Sequence, residues 1–247
     1  MVRIMRVIFK TLPLAAGLWF GGATADFVAA ERQAVVELFT SQGCSSCPPA
    51  DAYLGELARR DDVLALSFHV DYWNYIGWRD PFSSRQWSAR QRDYGRNLKR
   101  RYVYTPQMVI DGAAEAVGSK RSQVARLIKA ALRRKKIAVE ILHPDRDTLR
   151  IRVPAEAGYS GSDATVWLAF YDSARTTAIE AGENDGTTLT NTNIVRSMAR
   201  IGEWRGAVKE WTLPVEAVGG SDRDGCAILV QAGGSGQILG AVAMALR

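Results

Sequence analysis

Short apolar runs alternate with helix-like segments over the first half of the chain. The runs are rich in β-branched and aromatic residues, which favours buried strands, and the segments between them carry apolar residues at helical spacing. The predicted order is strand 34–40, helix 48–60, strand 63–73, helical insert 83–101, hairpin 106–118 and helix 120–136. This order predicts a central mixed sheet that is flanked by helices.

The pattern changes after about residue 137. Short strand-like runs such as "TLRIRVP" and "CAILVQ" are separated by turn clusters such as "HPDRD" and "GGSDRDG". Many short strands with regular turn signals are typical of a β-sandwich. We therefore predict two domains, at residues 26–136 and 137–247, of which the second is mainly β and sandwich-like.

The first 25 residues have the layout of a secretory signal peptide. Arg3, Arg6 and Lys10 precede an apolar stretch of about 12 residues, and small residues follow at Ala23 and Ala25. The stretch is too short to span a bilayer, which takes roughly 20 apolar residues. We predict cleavage after Ala25, export to the periplasm or secretion, and no integral membrane segment in the mature chain.

The net charge of the chain gives little information about function once residues 1–25 are set aside. The formal net charge of +6 falls to +3 without the three basic residues of the first 25. An exported chain with so small a basic excess is not predicted to bind nucleic acid.

The candidate chemistry lies in "GCSSCPP", where Cys44 and Cys47 are three positions apart at the start of a predicted helix. In an oxidising compartment such a pair is redox-active or structural more often than zinc-binding. The backbone N–H groups of Ser46 and Cys47 are expected to point at the Cys44 sulfur, and such settings lower a cysteine pKa to roughly 3.5–7.5. Cys44 would then attack a partner disulfide, and Cys47 would resolve the mixed disulfide.

Two other interpretations of the pair stay open. A static disulfide would close a ring too small to remove much chain entropy, and it would leave a non-catalytic binding module. A copper or other metal site would combine the cysteines with His69, since thiolate and imidazole suit copper and zinc. The third cysteine, Cys226, opens a predicted strand and is expected to be a buried small apolar residue.

The region 34–136 resembles the thioredoxin fold, on "GCSSCPP" and on "TPQMVIDGAAEAVGS". The resemblance implies that Pro106 is a cis-proline after the helical insert, and that Thr105 faces the cysteines and can pair with a bound peptide. Taken alone, Pro106 could also be a trans proline that opens a strand. Glu37 corresponds to a buried acid that assists proton transfer, although its spacing from the cysteines differs by one residue. The alternative for Glu37 is an acid that reaches solvent or an arginine.

The mature chain also resembles the family known as domain of unknown function 1223, most clearly in "VELFTSQGCSSCPPAD". That resemblance implies a fold and an architecture but no reaction. The function predicted from the residues is thiol–disulfide exchange on a protein or a small thiol, by Cys44, Cys47, Thr105, Pro106 and Glu37. No cofactor and no metal are predicted.

Overall fold

The computed structural model describes residues 28–29, 33–145, 147–220 and 222–246, so the predicted signal peptide lies outside the described part. The helices of that part are α1 (Pro48–Leu57), α2 (Arg85–Asn97) and α3 (Arg121–Ala131). Its strands are β1 (Val28–Ala29), β2 (Ala34–Thr40), β3 (Val63–His69), β4 (Gln107–Ile110), β5 (Ala114–Val117), β6 (Glu140–Asp145), β7 (Thr148–Val153), β8 (Ala164–Ala178), β9 (Thr188–Trp204), β10 (Lys209–Pro214), β11 (Gly225–Ala232) and β12 (Ile238–Ala245).

One large mixed sheet dominates this α/β structure, with the strand order β12-β11-β8-β9-β3-β2-β4-β5. β2 runs parallel to β3 and antiparallel to β4. β9 pairs in parallel with the other edge of β3, at Ser67 and Ile194. Strands from both sides of the predicted boundary at residue 137 therefore share one sheet. The boundary itself stays a prediction.

The central strand β2 is buried along its whole length because both faces of the sheet are covered there. Val36 and Leu38 pack on the side of α1 and α3. Val35 and Phe39 point to the other side, where they pack with Tyr94 of α2. This alternation places neighbouring residues of β2 in two different cores.

A second sheet, in the order β1-β6-β7-β10, covers the C-terminal half of the large sheet. Ile151 of β7 belongs to the same apolar cluster as Phe170 of β8 and Ile228 of β11. The C-terminal region is thus largely β and buries its core between two layers.

The connection between β8 and β9 reaches toward the cysteines. The two strands pair from Ala164–Trp204 to Ala178–Thr188, so they run well past their neighbours. The apolar run "ATVWLAFYD" by itself predicts a strand of residues 164–172, whereas β8 continues to Ala178. Cross-strand pairs such as Thr176 with Thr190 extend the ladder, and a 3-10 turn at Gly182–Asn184 follows.

The insert helix is shorter than the predicted span 83–101. The Ser84 side chain accepts a hydrogen bond from the Gln86 N–H and begins α2, and the chain leaves the helix through Lys99, whose φ is +54°. In the part of the chain that the structure describes, no helix is long and apolar enough to cross a membrane.

Candidate functional site

Cys44 and Cys47 lie between the end of β2 and the start of α1, and they form a disulfide with their Cα atoms 5.4 Å apart. Cys47 is the N-cap residue of α1, and Pro48 begins the helix without needing a backbone donor. The Cys47 N–H donates to the Cys44 carbonyl at 3.1 Å. The expectation that this N–H points at the Cys44 sulfur was therefore wrong.

Side-chain hydroxyls contact the Cys44 sulfur instead. Thr105 Oγ1 and Ser46 Oγ each lie 3.3 Å from Cys44 Sγ. Thr105 Oγ1 also accepts a 2.7 Å hydrogen bond from Trp73 Nε1. Because an indole N–H can only donate, the Thr105 hydroxyl keeps its own proton to donate. Its acceptors are Cys44 Sγ and the neighbouring Tyr72 hydroxyl. The Thr105–Pro106 peptide bond is cis, and Pro106 is buried beside this contact.

We expect Thr105→Val to weaken the thiolate form of reduced Cys44, because it removes a hydroxyl that donates to the sulfur. A hydrogen bond to a charged group contributes about 1.5–3 kcal/mol. The measurement is the ultraviolet absorbance of the thiolate against pH, which should rise at higher pH in the variant. Trp73→Phe should give a smaller change in the same direction, because it only frees the Thr105 hydroxyl to turn.

Ser45→Ala is the matched control, since it removes a hydroxyl of the same loop that is exposed and bonds to Glu183 rather than to the Cys44 sulfur. Coincident titrations of the wild type and Thr105→Val would contradict the assigned role of this hydroxyl.

Neither cysteine is open to solvent, since both are 0% exposed. One part of the covering structure is the segment 73–78: Ile76 and Trp73 lie so near Gly43 that a Cβ there would be 3.3 Å from Ile76 Cδ1. The other part is the turn 182–184 between β8 and β9. We call residues 73–78 and 182–184 the cover.

Hydrogen bonds hold the cover against the loop that carries the cysteines. Asn184 Nδ2 donates to the carbonyls of Gln42, at 2.8 Å, and Cys44, at 3.1 Å. Glu183 accepts from the Ser45 N–H at 3.1 Å, and Trp78 Nε1 donates to Gln42 Oε1 at 3.2 Å. The C-terminal β region therefore contributes directly to the surroundings of the disulfide.

Asp51 is a buried acid one helical turn after Cys47, and its N–H donates to the Cys47 carbonyl at 3.1 Å. Thr40 Oγ1 donates to its carboxyl at 3.1 Å. Burial raises the pKa of Asp51 to about 7, although the charge of His69 and the Thr40 hydrogen bond oppose the shift. A pKa near neutral pH therefore belongs to an acid in the helical turn that follows Cys47.

His69 and Asp80 form a buried pair below the same loop, with 2.7 Å between Nδ1 and Oδ2 and no exposed side-chain surface. Burial alone would lower the pKa of His69, but the charge and hydrogen bond of Asp80 outweigh it and raise that pKa. Burial would likewise raise the pKa of Asp80, but His69 and the N–H of Gln42 lower it. The pair therefore favours a charged imidazole beside a carboxylate.

The Nδ1 atom of His69 is taken by Asp80, and the two cysteines are joined in a disulfide. Among the described residues, no group of three or more His, Cys, Asp or Glu side chains is placed to hold a metal ion. The donor set that the copper interpretation needs is therefore not assembled.

Glu37 lies on the other side of the sheet from Asp51. Its carboxylate accepts a 2.8 Å hydrogen bond from Arg90 Nε and another from the Tyr94 hydroxyl, and all three residues are buried. Burial and the Glu37 charge raise the pKa of Tyr94 well above its ordinary value, against the opposing charge of Arg90. These contacts match the arginine alternative, and the proton-transfer role of Glu37 stays a prediction.

The sequence pattern did not indicate Asp51 as a site residue, because an acid in a first helical turn ordinarily complements the helix dipole. A usable signal exists: Cys47, Asp51 and Leu54 recur at helical spacing, and Leu54 is buried. Cys226 is buried as expected, and burial raises its pKa to about 12.

Comparisons with known proteins add a family and two related folds. The sequence model of "Protein of unknown function (DUF1223)" matches residues 35–231. The crystal structure of protein AGR_C_4864 from Agrobacterium tumefaciens is similar at 32% identity and a TM-score of 0.76, over 88% of this chain and 96% of that one. HBP35 of Porphyromonas gingivalis shares the fold at 13% identity and a TM-score of 0.59, over 87% of this chain and 75% of that one. No curated protein matches the chain.

Proposed function

The chain belongs to the family of proteins of unknown function DUF1223. From the geometry of its site we propose that its activity is thiol–disulfide exchange through Cys44 and Cys47. The observation that carries this proposal is the pair of hydroxyls, from Thr105 and Ser46, at 3.3 Å from Cys44 Sγ. Donors at that sulfur, beside the N-terminus of α1, would stabilise a thiolate and so favour Cys44 as the attacking group.

The exchange needs no cofactor. In the reduced protein the Cys44 thiolate attacks a substrate disulfide, forms a mixed disulfide and releases the other substrate sulfur as a thiolate. Cys47 then loses its proton and attacks Cys44 Sγ, which re-forms the Cys44–Cys47 bond and releases the second substrate thiolate. Two electrons pass from the cysteine pair to the substrate. We infer that the buried carboxylate of Asp51, which lies one helical turn after Cys47, accepts the Cys47 proton.

A thioredoxin-like fold and export to the periplasm or beyond complete the proposal. The order β2-α1-β3, the insert α2, then β4-β5-α3, with Thr105 beside Cys44, supports the first. The composition of residues 1–25 supports the second. Since both cysteines are 0% exposed, exchange with a protein also includes displacement of the cover.

That same burial favours a second candidate, a binding module in which the disulfide is static. Measurement of the reduction potential against glutathione separates the two. A couple far below about −300 mV would indicate a structural disulfide, and a higher potential supports exchange.

An insulin-reduction or scrambled-substrate assay tests the activity directly. Cys44→Ser is expected to reduce it to the background level, because no nucleophile remains to form the mixed disulfide. Cys226→Ala is the control that keeps activity, since Cys226 is buried away from the pair. Full activity in Cys44→Ser would rule out the mechanism.

A further inference from the structure

A basic groove borders the proposed exchange site. Two clefts of about 700 and 430 Å3 share Arg100, Arg101 and Tyr102 among their lining residues. The groove is formed by the end of α2, the segment 99–104 that follows it, and the β5 residues Glu115 and Val117.

Positive charge dominates its walls. Five exposed cations line the two clefts: Arg92, Arg96, Lys99, Arg100 and Arg101. Two of these cations have acidic partners: Arg100 lies 2.5 Å from the lining acid Glu115, which also accepts from the Tyr104 hydroxyl, and Arg96 pairs with Asp93. Arg92, Lys99 and Arg101 therefore supply the excess positive charge. The groove therefore presents a net positive surface to a ligand.

Apolar surface accompanies the charge. Tyr102 is 73% exposed and Val117 is 36% exposed, so both offer contact area that the folded chain leaves open. Exposed aromatic area next to arginine is the composition that protein interfaces favour. A ligand for this groove would carry both acidic and apolar side chains.

The β4–β5 hairpin links the groove to the cysteine site. Val117 pairs with Gln107 across the hairpin, and the Gly118 N–H donates to the Pro106 carbonyl at 2.9 Å. Thr105, the next residue back, contacts Cys44 Sγ. β5 also ends the strand order of the large sheet, and an extended segment can add to such an edge.

We propose that the basic groove binds an extended acidic segment of the protein whose disulfide is exchanged. The identification of the bound chain as the substrate rests on the proposed exchange function, whereas the preference for an acidic extended segment rests on the groove alone. A polypeptide suits the groove better than a nucleic acid, because a strand edge offers main-chain pairing and the mature chain has a formal net charge of only +3.

Fluorescence anisotropy with a labelled 12-residue peptide tests the preference. The probe alternates Asp or Glu with Val or Leu and contains no cysteine, and its matched control has Asn and Gln in place of the acids. We expect the acidic peptide to bind at least about tenfold more tightly than the neutral one, with an affinity that falls as salt is added.

The variant Lys99→Gln/Arg101→Gln should lose about tenfold in affinity for the acidic peptide. Its control, Arg126→Gln/Lys129→Gln, removes two exposed cations from α3 and should bind like the wild type. Equal binding of the two peptides, an unchanged affinity in the groove variant, or tighter binding of an oligothymidine would overturn the proposal.

A second measurement keeps this inference apart from the exchange function. Because the probe has no cysteine, Cys44→Ser should bind it normally even though its exchange activity is lost. In the wild type, a peptide disulfide with acidic flanks should be reduced with a lower KM than one with neutral flanks, and Lys99→Gln/Arg101→Gln should remove the difference. Peptide binding without exchange in the wild type would contradict the exchange function and the substrate assignment, but not the preference for acidic segments.

Discussion

Asp51→Asn is expected to stabilise the folded protein by on the order of 4 kcal/mol at neutral pH, and by little near pH 4. Burial holds the pKa of Asp51 near 7 in the fold, against an ordinary value of 3.8. Between these values the unfolded chain ionises and the folded protein does not. The wild type therefore loses stability as the pH rises from about 4 to about 7, while the asparagine variant avoids that loss.

Urea unfolding of the wild type and Asp51→Asn at pH 4, 5, 6, 7 and 8 measures this difference. Asp51 interacts electrostatically with His69, so the difference between the two proteins includes this coupling as well as the titration of Asp51 itself. Asp61→Asn, which replaces an exposed acid, is the control and should change stability little at any pH. A difference that is constant from pH 4 to pH 8 would show that Asp51 titrates normally in the fold.

The same substitution should slow exchange. Asparagine cannot accept the Cys47 proton, so resolution of the mixed disulfide should become the slow step, and a trapped mixed disulfide should accumulate. More stability with less activity is the expected combination where a buried ionisable group serves function.

Glu37→Gln is expected to destabilise the protein by about 3–5 kcal/mol, because it leaves the buried Arg90 charge without its partner. Arg90 and Glu37 are 7% and 0% exposed, so water cannot replace the missing carboxylate. Chemical unfolding at pH 7 measures the loss. Breaking an exposed pair should change stability far less, and Glu56→Gln, which removes the partner of Arg121, is the control.

The double variant Glu37→Leu/Arg90→Leu separates the cost of an unpaired charge from the cost of lost packing. Removing both charges should recover part of the stability that Glu37→Gln loses, since apolar replacement of a buried pair is often close to neutral. If the double variant is instead less stable than Glu37→Gln, by as much as an independent second substitution would cost, the unpaired Arg90 charge is not the cause of the destabilisation.

The local pattern of the chain was sufficient to place the elements of the first half, although β3 ends at His69 rather than 73 and α3 at Ala131 rather than 136. β2, α1, β3 and α3 follow from apolar periodicity and from prolines at a helix start, which act within a few residues. The end of α2 could not be predicted in this way. The chain leaves the helix at Lys99, which has a positive φ, and no glycine or proline marks that position in the sequence.

Contacts between distant residues account for most of what could not be predicted. β3 and β9 pair at Ser67 and Ile194, and no local pattern indicates that partnership. Glu37 meets Arg90, 53 residues away, because α2 packs on its face of the sheet. The covering of the cysteines by Asn184 likewise depends on a turn 140 residues from Cys44.

The cover has a kinetic consequence for a disulfide that exchanges. The observed rate becomes the fraction of open molecules multiplied by the rate of the open form, and each 1.4 kcal/mol of opening free energy lowers it about tenfold. A small thiol makes few contacts that could offset this free energy, whereas a protein that binds the neighbouring surface makes many. Residues 73–78 and 182–184 would then act as a size filter, which shields the cysteine pair from abundant small reductants and leaves it reactive toward a docked protein.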